Sequence, residues 1–324
     1  MKARQSNSRT IEQSNNYLVW LEWPEKCFRV DAEALRALKG LVPKGARIVR
    51  ARSERTFLKA LPKATHAITW HFKADWFAKG PRIKVLATPA AGQEFVPTRG
   101  PKGVKIHFGH YHGQIMAESV LGFILCWAKG FFAVREAPRS CRDWPRTWLS
   151  GRSTDVAGTK AVIVGYGNVG RAIGAKLAMM GVEVYGLTRH GTFRGNRTIE
   201  QSSNRTILRD ADWLILALPS TTGTDDFLDA KLIRKLPRKC VVINVGRGNA
   251  VDERALYAAL KSKRVAGAYL DVRKYEPSAT VLETPGYVKE LADIPNCIVM
   301  PHTSAFSPRY IRLCFEELKN DGCL

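Results

Sequence analysis

Residues 161–164 place four apolar, mostly β-branched side chains in a row and run directly into Gly165-Tyr166-Gly167-Asn168-Val169-Gly170. A run apolar on both faces suits a strand inside a parallel sheet. Residues 171–178 then read as a helix, whose N-terminus presents unpaired N–H groups and the positive end of its dipole to a pyrophosphate. Gly165 makes the tight turn, Gly167 lets the backbone approach the phosphates, and Gly170 lets helix pack on strand. Strand before and helix after turn a common glycine pattern into a dinucleotide site of the Rossmann type.

The flanking sequence has room for more than that unit, since 324 residues accommodate two domains. Before the glycine turn, short strands at 17–21, 47–51, 67–70, 83–87 and 103–108 alternate with helices at 31–38, 53–61 and 73–78. That alternation predicts a second, smaller α/β unit of flavodoxin-like type. A helix over 114–132 is apolar on most sides and needs other elements, or another subunit, to bury it. After the turn, strands at 182–187, 213–218, 241–245, 267–272 and 297–300, with helices at 230–235 and 252–262, complete a doubly wound sheet. The hexapeptide Arg-Thr-Ile-Glu-Gln-Ser occurs at 9–14 and again at 197–202, and no longer period continues from it.

Composition excludes several classes. A 45% hydrophobic content is that of a folded chain. No unbroken apolar run approaches the roughly 20 residues that span a bilayer. The first 16 residues are polar, read as disordered, and lack a secretory apolar core. Seven cysteines, odd in number and without a CxxC pair, suit reduced thiols in a cytoplasmic protein and argue against a structural zinc. The net charge of +22, denser over residues 1–112, permits nucleic-acid binding but equally a basic surface that attracts anionic substrate and cofactor.

In this fold the end of the second strand meets the adenosine ribose, where an acid selects NAD and an Arg accommodates the 2′-phosphate of NADP. Here Thr188-Arg189 stands at that tip, with no acid and with Arg194 and Arg197 behind it, so NADP is expected ahead of NAD. Three polar residues follow later strands, where open α/β sheets bind ligands: Arg247, Glu276 and His302. Singly each has an ordinary structural explanation. Together, after consecutive strands, they form a candidate catalytic set.

These motifs make the chain resemble the D-isomer-specific 2-hydroxyacid dehydrogenase family. The resemblance rests on the glycine turn, Leu218-Pro219-Ser220-Thr221-Thr222-Gly223-Thr224, Asn244-Val245-Gly246-Arg247-Gly248, Leu270-Asp271-Val272, Glu276-Pro277 and Pro301-His302, with Met116-Ala117-Glu118 opening an interdomain helix. It implies hydride transfer between a nicotinamide and C2 of a 2-oxo acid such as glyoxylate or hydroxypyruvate, yielding D-hydroxy acids. His302 would be the acid/base, Glu276 its partner, and Arg247 the grip on the substrate carboxylate and carbonyl. The same correspondence puts Asp271 near the nicotinamide carboxamide. It places Asn168, Val169, Leu218, Pro219, Thr224, Val245, Gly246 and Ser304 at the cofactor, and Ala91 and Gly92 of an atypical carboxylate loop at the substrate. It implies a substrate domain of 1–112 plus 303–324, a nucleotide domain of 113–302, and a homodimer formed through 114–132. The stretch from Glu276 to His302 is longer than the family pattern and contains Thr284-Pro285-Gly286-Tyr287.

His107-x-x-His110-x-His112 matches no standard zinc spacing, and the implied chemistry needs no metal, so no metal site is expected. His110 or His112, with Trp70-His71-Phe72, would instead line the substrate cleft. Two rival readings use the same fold without turnover: a nucleotide-sensing, corepressor-like scaffold and a basic nucleic-acid-binding protein. An intact Arg247, Glu276 and His302 set argues against the scaffold, and the lack of an aromatic-basic motif argues against direct nucleic-acid function.

Overall fold

The computed structural model describes residues 15–93, 95–188, 199–202, 205–275 and 288–324, with backbone only at 199–202. The chain forms two compact units, Met1–Tyr111 with Ser307–Leu324 and His112–Phe306. Residues 303–306, expected with the smaller unit, belong to the larger.

The smaller unit begins with β1 (Asn16–Trp20), α1 (Ala32–Leu41), β2 (Arg47–Arg50) and α2 (Glu54–Ala60). β3 (His66–Thr69), α3 (Trp76–Lys79), β4 (Val85–Thr88) and β5 (Lys105–Phe108) follow. Local chemistry starts the first two helices. The Asp31 carboxylate accepts from Ala34 N–H at 2.7 Å, and Ser53 forms a capping box with Thr56. The strands pair in parallel in the order β2-β1-β3-β4-β5, the flavodoxin-like arrangement.

The larger unit opens with α4 (His112–Ala128) and α5 (Arg146–Ser150), then β6 (Lys160–Val164), α6 (Asn168–Met179), β7 (Glu183–Leu187) and β8 (Ile199–Ser202). It continues with β9 (Trp213–Leu216), α7 (Ala230–Ile233), β10 (Val241–Asn244), α8 (Glu253–Lys261), β11 (Gly267–Leu270) and β12 (Cys297–Val299). The chain ends in α9 (Tyr310–Asn320) of the smaller unit. All seven strands are parallel, in the order β12-β11-β10-β9-β6-β7-β8. The order reverses between β6 and β9, which sets the glycine turn at the switch point where such sheets bind ligands. β8 is an element the sequence reading missed; Ile199-Glu200-Gln201-Ser202 has no apolar run to announce it. It coincides with the second copy of the hexapeptide, and the first copy lies outside the described residues.

Alternate strand residues feed two cores, as the pleat requires. Val162, Val164, Leu214, Leu216 and Val242 join one; Ala161, Ile163, Trp213, Ile215 and Ile243 join the other, together with α4 and α6. α4 lies close on α6, since a Cβ on Gly113 would come 2.9 Å from the Asn168 carbonyl oxygen. The segment His112–Glu136 is long and apolar enough to cross a membrane by length and composition, at mean hydropathy 1.5. The sequence reading passed over this because polar residues interrupt the run. Core packing uses part of that hydropathy: 39% of the apolar window is buried, with Val120, Phe123 and Ile124 against the sheet.

At the centre of the smaller sheet, His66 is 7% exposed, stacks on Tyr17 at 4.3 Å and shares a hydrogen bond with Thr65 Oγ1 at 2.9 Å. Burial, with the nearby Lys84 charge, lowers its pKa from 6.5 to about 4. The unfolded chain therefore takes up this proton first as pH falls. The stabilisation is complete above pH 6.5 and is lost progressively down to about 4, by as much as ~3 kcal/mol. His66→Gln is expected to flatten that part of the stability profile, read from urea denaturation across a pH series.

Candidate functional site

Each glycine of the turn has a distinct structural cause. Gly165 adopts φ +90°, and a Cβ there would come 2.5 Å from the Ala217 carbonyl oxygen. A Cβ on Gly170 would lie 2.3 Å from the Gly165 carbonyl oxygen, so helix and strand can meet only at glycine. A Cβ on Gly167 would meet nothing within 4 Å, so it would project into open space at the helix N-terminus. Gly167 is also the N-cap and carries no side chain to cap α6. These residues fit a pyrophosphate, with Asn168 and Val169 in the first turn to receive it. Arg171, hydrogen-bonded to Asn168 Oδ1 at 2.8 Å, adds a cation that the sequence reading did not single out. Buried Tyr166 fills the space between Gly174 and Gly186 and holds turn, helix and β7 together.

Thr188 follows β7 and is half-buried; Arg189 lies outside the described residues. After β9 come half-buried Leu218 and exposed Pro219. Thr224, expected at the cofactor, has its hydroxyl engaged in the loop itself, 2.8 Å from the carbonyl oxygens of Pro219 and Thr221. Its place is to shape the loop that carries Leu218 and Pro219.

After β10 the chain turns through buried Val245 and Gly246 to half-buried Arg247. Asn244 sets this turn: its side chain accepts from Gly246 N–H and donates to the Arg247 carbonyl, both at 3.1 Å. A Cβ on Gly246 would come 2.5 Å from Leu218 N, so the β9 and β10 loops approach closely only because glycine stands there.

The ends of β11 and β12 are joined by one carboxylate. Asp271, 1% exposed, accepts the N–H groups of Thr303 and Ser304 at 2.9 Å each and the Ser304 hydroxyl. His302 donates its backbone N–H to the Asp271 carbonyl at 2.8 Å. It adopts φ +56°, a left-handed conformation uncommon for a residue with a side chain, and its side chain is exposed. The Ser304 carbonyl accepts from Ser119 of α4 at 3.0 Å. Asp271 and Ser304, both expected at the cofactor, therefore have their polar atoms engaged in holding the His302 turn.

Glu276 lies outside the described residues, as does Thr284-Pro285-Gly286-Tyr287. The chain leading to it is anchored by a pair that the sequence reading missed. Arg273 meets Glu253 in two bonds of 2.8 Å, both residues buried, and Arg273 also donates to the Val288 carbonyl at 2.8 Å. Glu253 further accepts Lys274 N–H at 2.9 Å. An acid opening a helix and an Arg after a strand, 20 residues apart, carry no local signal of this pairing.

In the smaller unit, exposed Ala91 and half-buried Gly92 follow the C-terminal end of β4. His107 of β5 finds its partners on α9, with Nε2 at 2.8 Å from Asp321 and 3.6 Å from Glu317. Glu317 also accepts the His110 backbone N–H at 2.9 Å, and burial raises its pKa. His107, Glu317 and Asp321 are close enough to share a metal ion, whereas the sequence reading grouped His107 with His110 and His112. His112 is the buried first residue of α4.

A family model described as D-isomer specific 2-hydroxyacid dehydrogenase, NAD binding domain, matches residues 121–304. The chain is 27% identical over 253 residues to a glycerate dehydrogenase of Methylorubrum extorquens, covering 76% of this chain and 77% of the relative. It is 32% identical over 241 residues to a glyoxylate reductase of Thermococcus kodakarensis, covering 71% and 69%. A solved D-isomer specific 2-hydroxyacid dehydrogenase from Xanthobacter autotrophicus Py2, in complex with NADPH and MES, aligns with TM-score 0.73 at 25% identity over 95% and 96% of the two chains.

The role of Asp271 can be measured directly. Asp271→Ala leaves two backbone N–H groups and a hydroxyl without their acceptor, each costing about 1–3 kcal/mol if it stays buried. The larger unit is expected to lose several-fold more denaturant resistance than with Ser119→Ala, which removes one donor to a carbonyl. Equal midpoints for the two variants in denaturant titrations would contradict this assignment.

Proposed function

Because the chain belongs to the D-isomer-specific 2-hydroxyacid dehydrogenase family and is an oxidoreductase with that family's NAD-binding domain, we propose that it reduces small 2-oxo acids of the glyoxylate or hydroxypyruvate type to D-2-hydroxy acids, with NADPH preferred to NADH. The observation that carries this reading is the His302 turn, held by a buried carboxylate in a left-handed conformation one strand away from the Asp271 tip and two from the Arg247 turn. A histidine held this way suits proton transfer more than packing. The names of the two relatives favour two- and three-carbon acids.

The bound nicotinamide would supply hydride to C2 of the oxo acid. His302 donates a proton to the oxygen that gains charge at C2. Arg247 holds the substrate carboxylate with its planar fork and draws charge from the carbonyl. Glu276 orients the imidazole and favours its protonated form. Ala91 and Gly92 offer backbone N–H groups to the carboxylate. Asp271, Ser304 and Asn244 are positioning residues, each acting through the turn it holds. The NADP preference rests on Thr188-Arg189 and on the lack of an acid there.

The exposed Phe131, just beyond α4 at 63% exposure, and the apolar run of α4 itself support a homodimer through this helix. Seven free cysteines accord with a cytoplasmic setting. The scaffold and nucleic-acid readings are not favoured, since neither needs an acid/base histidine.

NADPH and NADH oxidation followed against glyoxylate, hydroxypyruvate and pyruvate tests the proposal. Turnover with at least one acid is expected, faster with NADPH. His302→Gln should lower kcat about 10²–10⁴-fold while NADPH still binds, as read by nucleotide fluorescence. Wild-type protein inactive with every acid would remove the reading, and full activity in the variant would move the proton donor elsewhere.

A further inference from the structure

A cavity of about 380 Å³ opens in the larger unit between the 3-10 turn Arg205–Asp210 and α7. Arg205 and Arg209 line one wall, and Lys231 and Lys235 the other. The single carboxylate of the lining, Asp229, accepts the Leu232 N–H at 2.7 Å as the helix cap. Arg205 is steadied over the Phe227 ring at 4.9 Å, which holds the guanidinium at the mouth.

Nearby cations are treated differently by the fold. Lys239 pairs with Asp212 at 2.6 Å, Lys274 with Asp226 at 3.0 Å, and Arg273 with Glu253. Among the described residues, none of the four cations around the cavity has an acidic partner. Four exposed like charges around one bowl repel each other through water, and a bound anion would relieve that repulsion further. Leu208, Leu232 and Phe227 supply the apolar part of the lining.

The cavity walls also lie away from α6. Leu208, Ile233 and Leu236 anchor its walls to one core, whereas Ile173 and Leu177 of α6 belong to the other. Those cores occupy opposite faces of the sheet, because neighbouring strand residues alternate between them. The body of α6 and the cavity walls therefore lie on opposite faces of the sheet, while Val164, Leu187 and Leu218 beside the glycine turn share the cavity's core, so titration with NADPH bound is what separates the two sites.

We propose that this cavity binds a compact triphosphate, distinct from the dinucleotide. Its volume falls at the small end of the roughly 300–1,000 Å³ usual for small-molecule sites, and a small bowl open to solvent suits a short chain of phosphates rather than a long backbone. The guanidinium groups fork onto phosphate oxygens, and the lysines act as point charges beside them. The half-buried Phe227 ring and Leu232 offer an apolar surface to a nucleoside carried on the same chain.

The test is calorimetric titration of NADPH-saturated protein with inorganic tripolyphosphate and, separately, with ATP. Binding that weakens as salt rises is expected for tripolyphosphate. ATP binding tighter by about tenfold or more would identify the nucleoside-bearing source, and equal affinities would identify the phosphate chain alone. The double variant Arg209→Gln/Lys235→Gln should lose about tenfold in affinity, and Arg209→Glu/Lys235→Glu should lose detectable binding. Both should keep wild-type melting curves and wild-type NADPH oxidation. No heat from either ligand at low salt would overturn the proposal, as would unchanged affinity in both variants. A parallel titration without nucleotide that binds, where the NADPH-saturated protein does not, would assign the phosphates to the dinucleotide cradle and overturn the proposal. A DNA duplex bound more tightly than tripolyphosphate through these same residues would also overturn it. None of these results depends on which oxo acid is reduced, so failure here is distinguishable from failure of the reductase reading.

Discussion

Asp271 follows β11 with its carboxylate sealed from solvent and, among the described residues, accepts hydrogen bonds from the turn after β12. A buried, ionised carboxylate is costly unless hydrogen bonds replace its water. Here two backbone N–H groups and one hydroxyl do so, and they can reach it only if residues 302–304 fold back over the strand end. The same requirement carries His302 into its left-handed conformation. The position of the candidate acid/base is thus a consequence of satisfying a neighbouring charge.

Close approach between strand ends does the rest. Gly246 brings the Arg247 turn against the β9 loop, and Gly248 brings the chain against the backbone of Arg273, where a Cβ would come within 2.0 Å. Arg273 is in turn held by Glu253, a buried pair whose disruption would strand a charge and cost about 3–5 kcal/mol. Four consecutive strand ends, β9 to β12, are locked to one another by glycines and by two buried carboxylates. Such a framework is stiff, which the proposed pairing of an imidazole and a guanidinium in register would require.

The distribution of charge follows a related logic. Acids are placed where a cation is buried or where a helix begins, as at Glu253, Asp229 and Asp252. The surplus of basic groups is left to the surface. Most of that surplus is solvated, but around Arg205, Arg209, Lys231 and Lys235 it converges on a concave wall, and concavity separates a binding site from a basic face.

The fold class was legible in the sequence because its signals are local. Alternation of apolar strands with helices, and a glycine turn between one strand and one helix, depend on neighbours within a few residues. The positions of Arg247 and His302 after strand ends were legible for the same reason, since each follows a recognisable strand. β8 escaped because four residues with one apolar side chain look like loop, and become strand only when β7 supplies the hydrogen-bonding edge. That Asp271 also holds the turn after β12 was not legible, because a sequence shows an acid at a strand end without showing which donors surround it. The Glu253–Arg273 pair, the meeting of His107 with Glu317 and Asp321, and the cation-lined cavity join segments that sequence distance keeps apart, His107 and Asp321 by 214 residues. By itself the sequence determined which elements form and which residues stand at their ends, since backbone propensity and side-chain periodicity are read over short spans. Only the tertiary structure decided which buried charge meets which partner, because that choice is made by packing between elements.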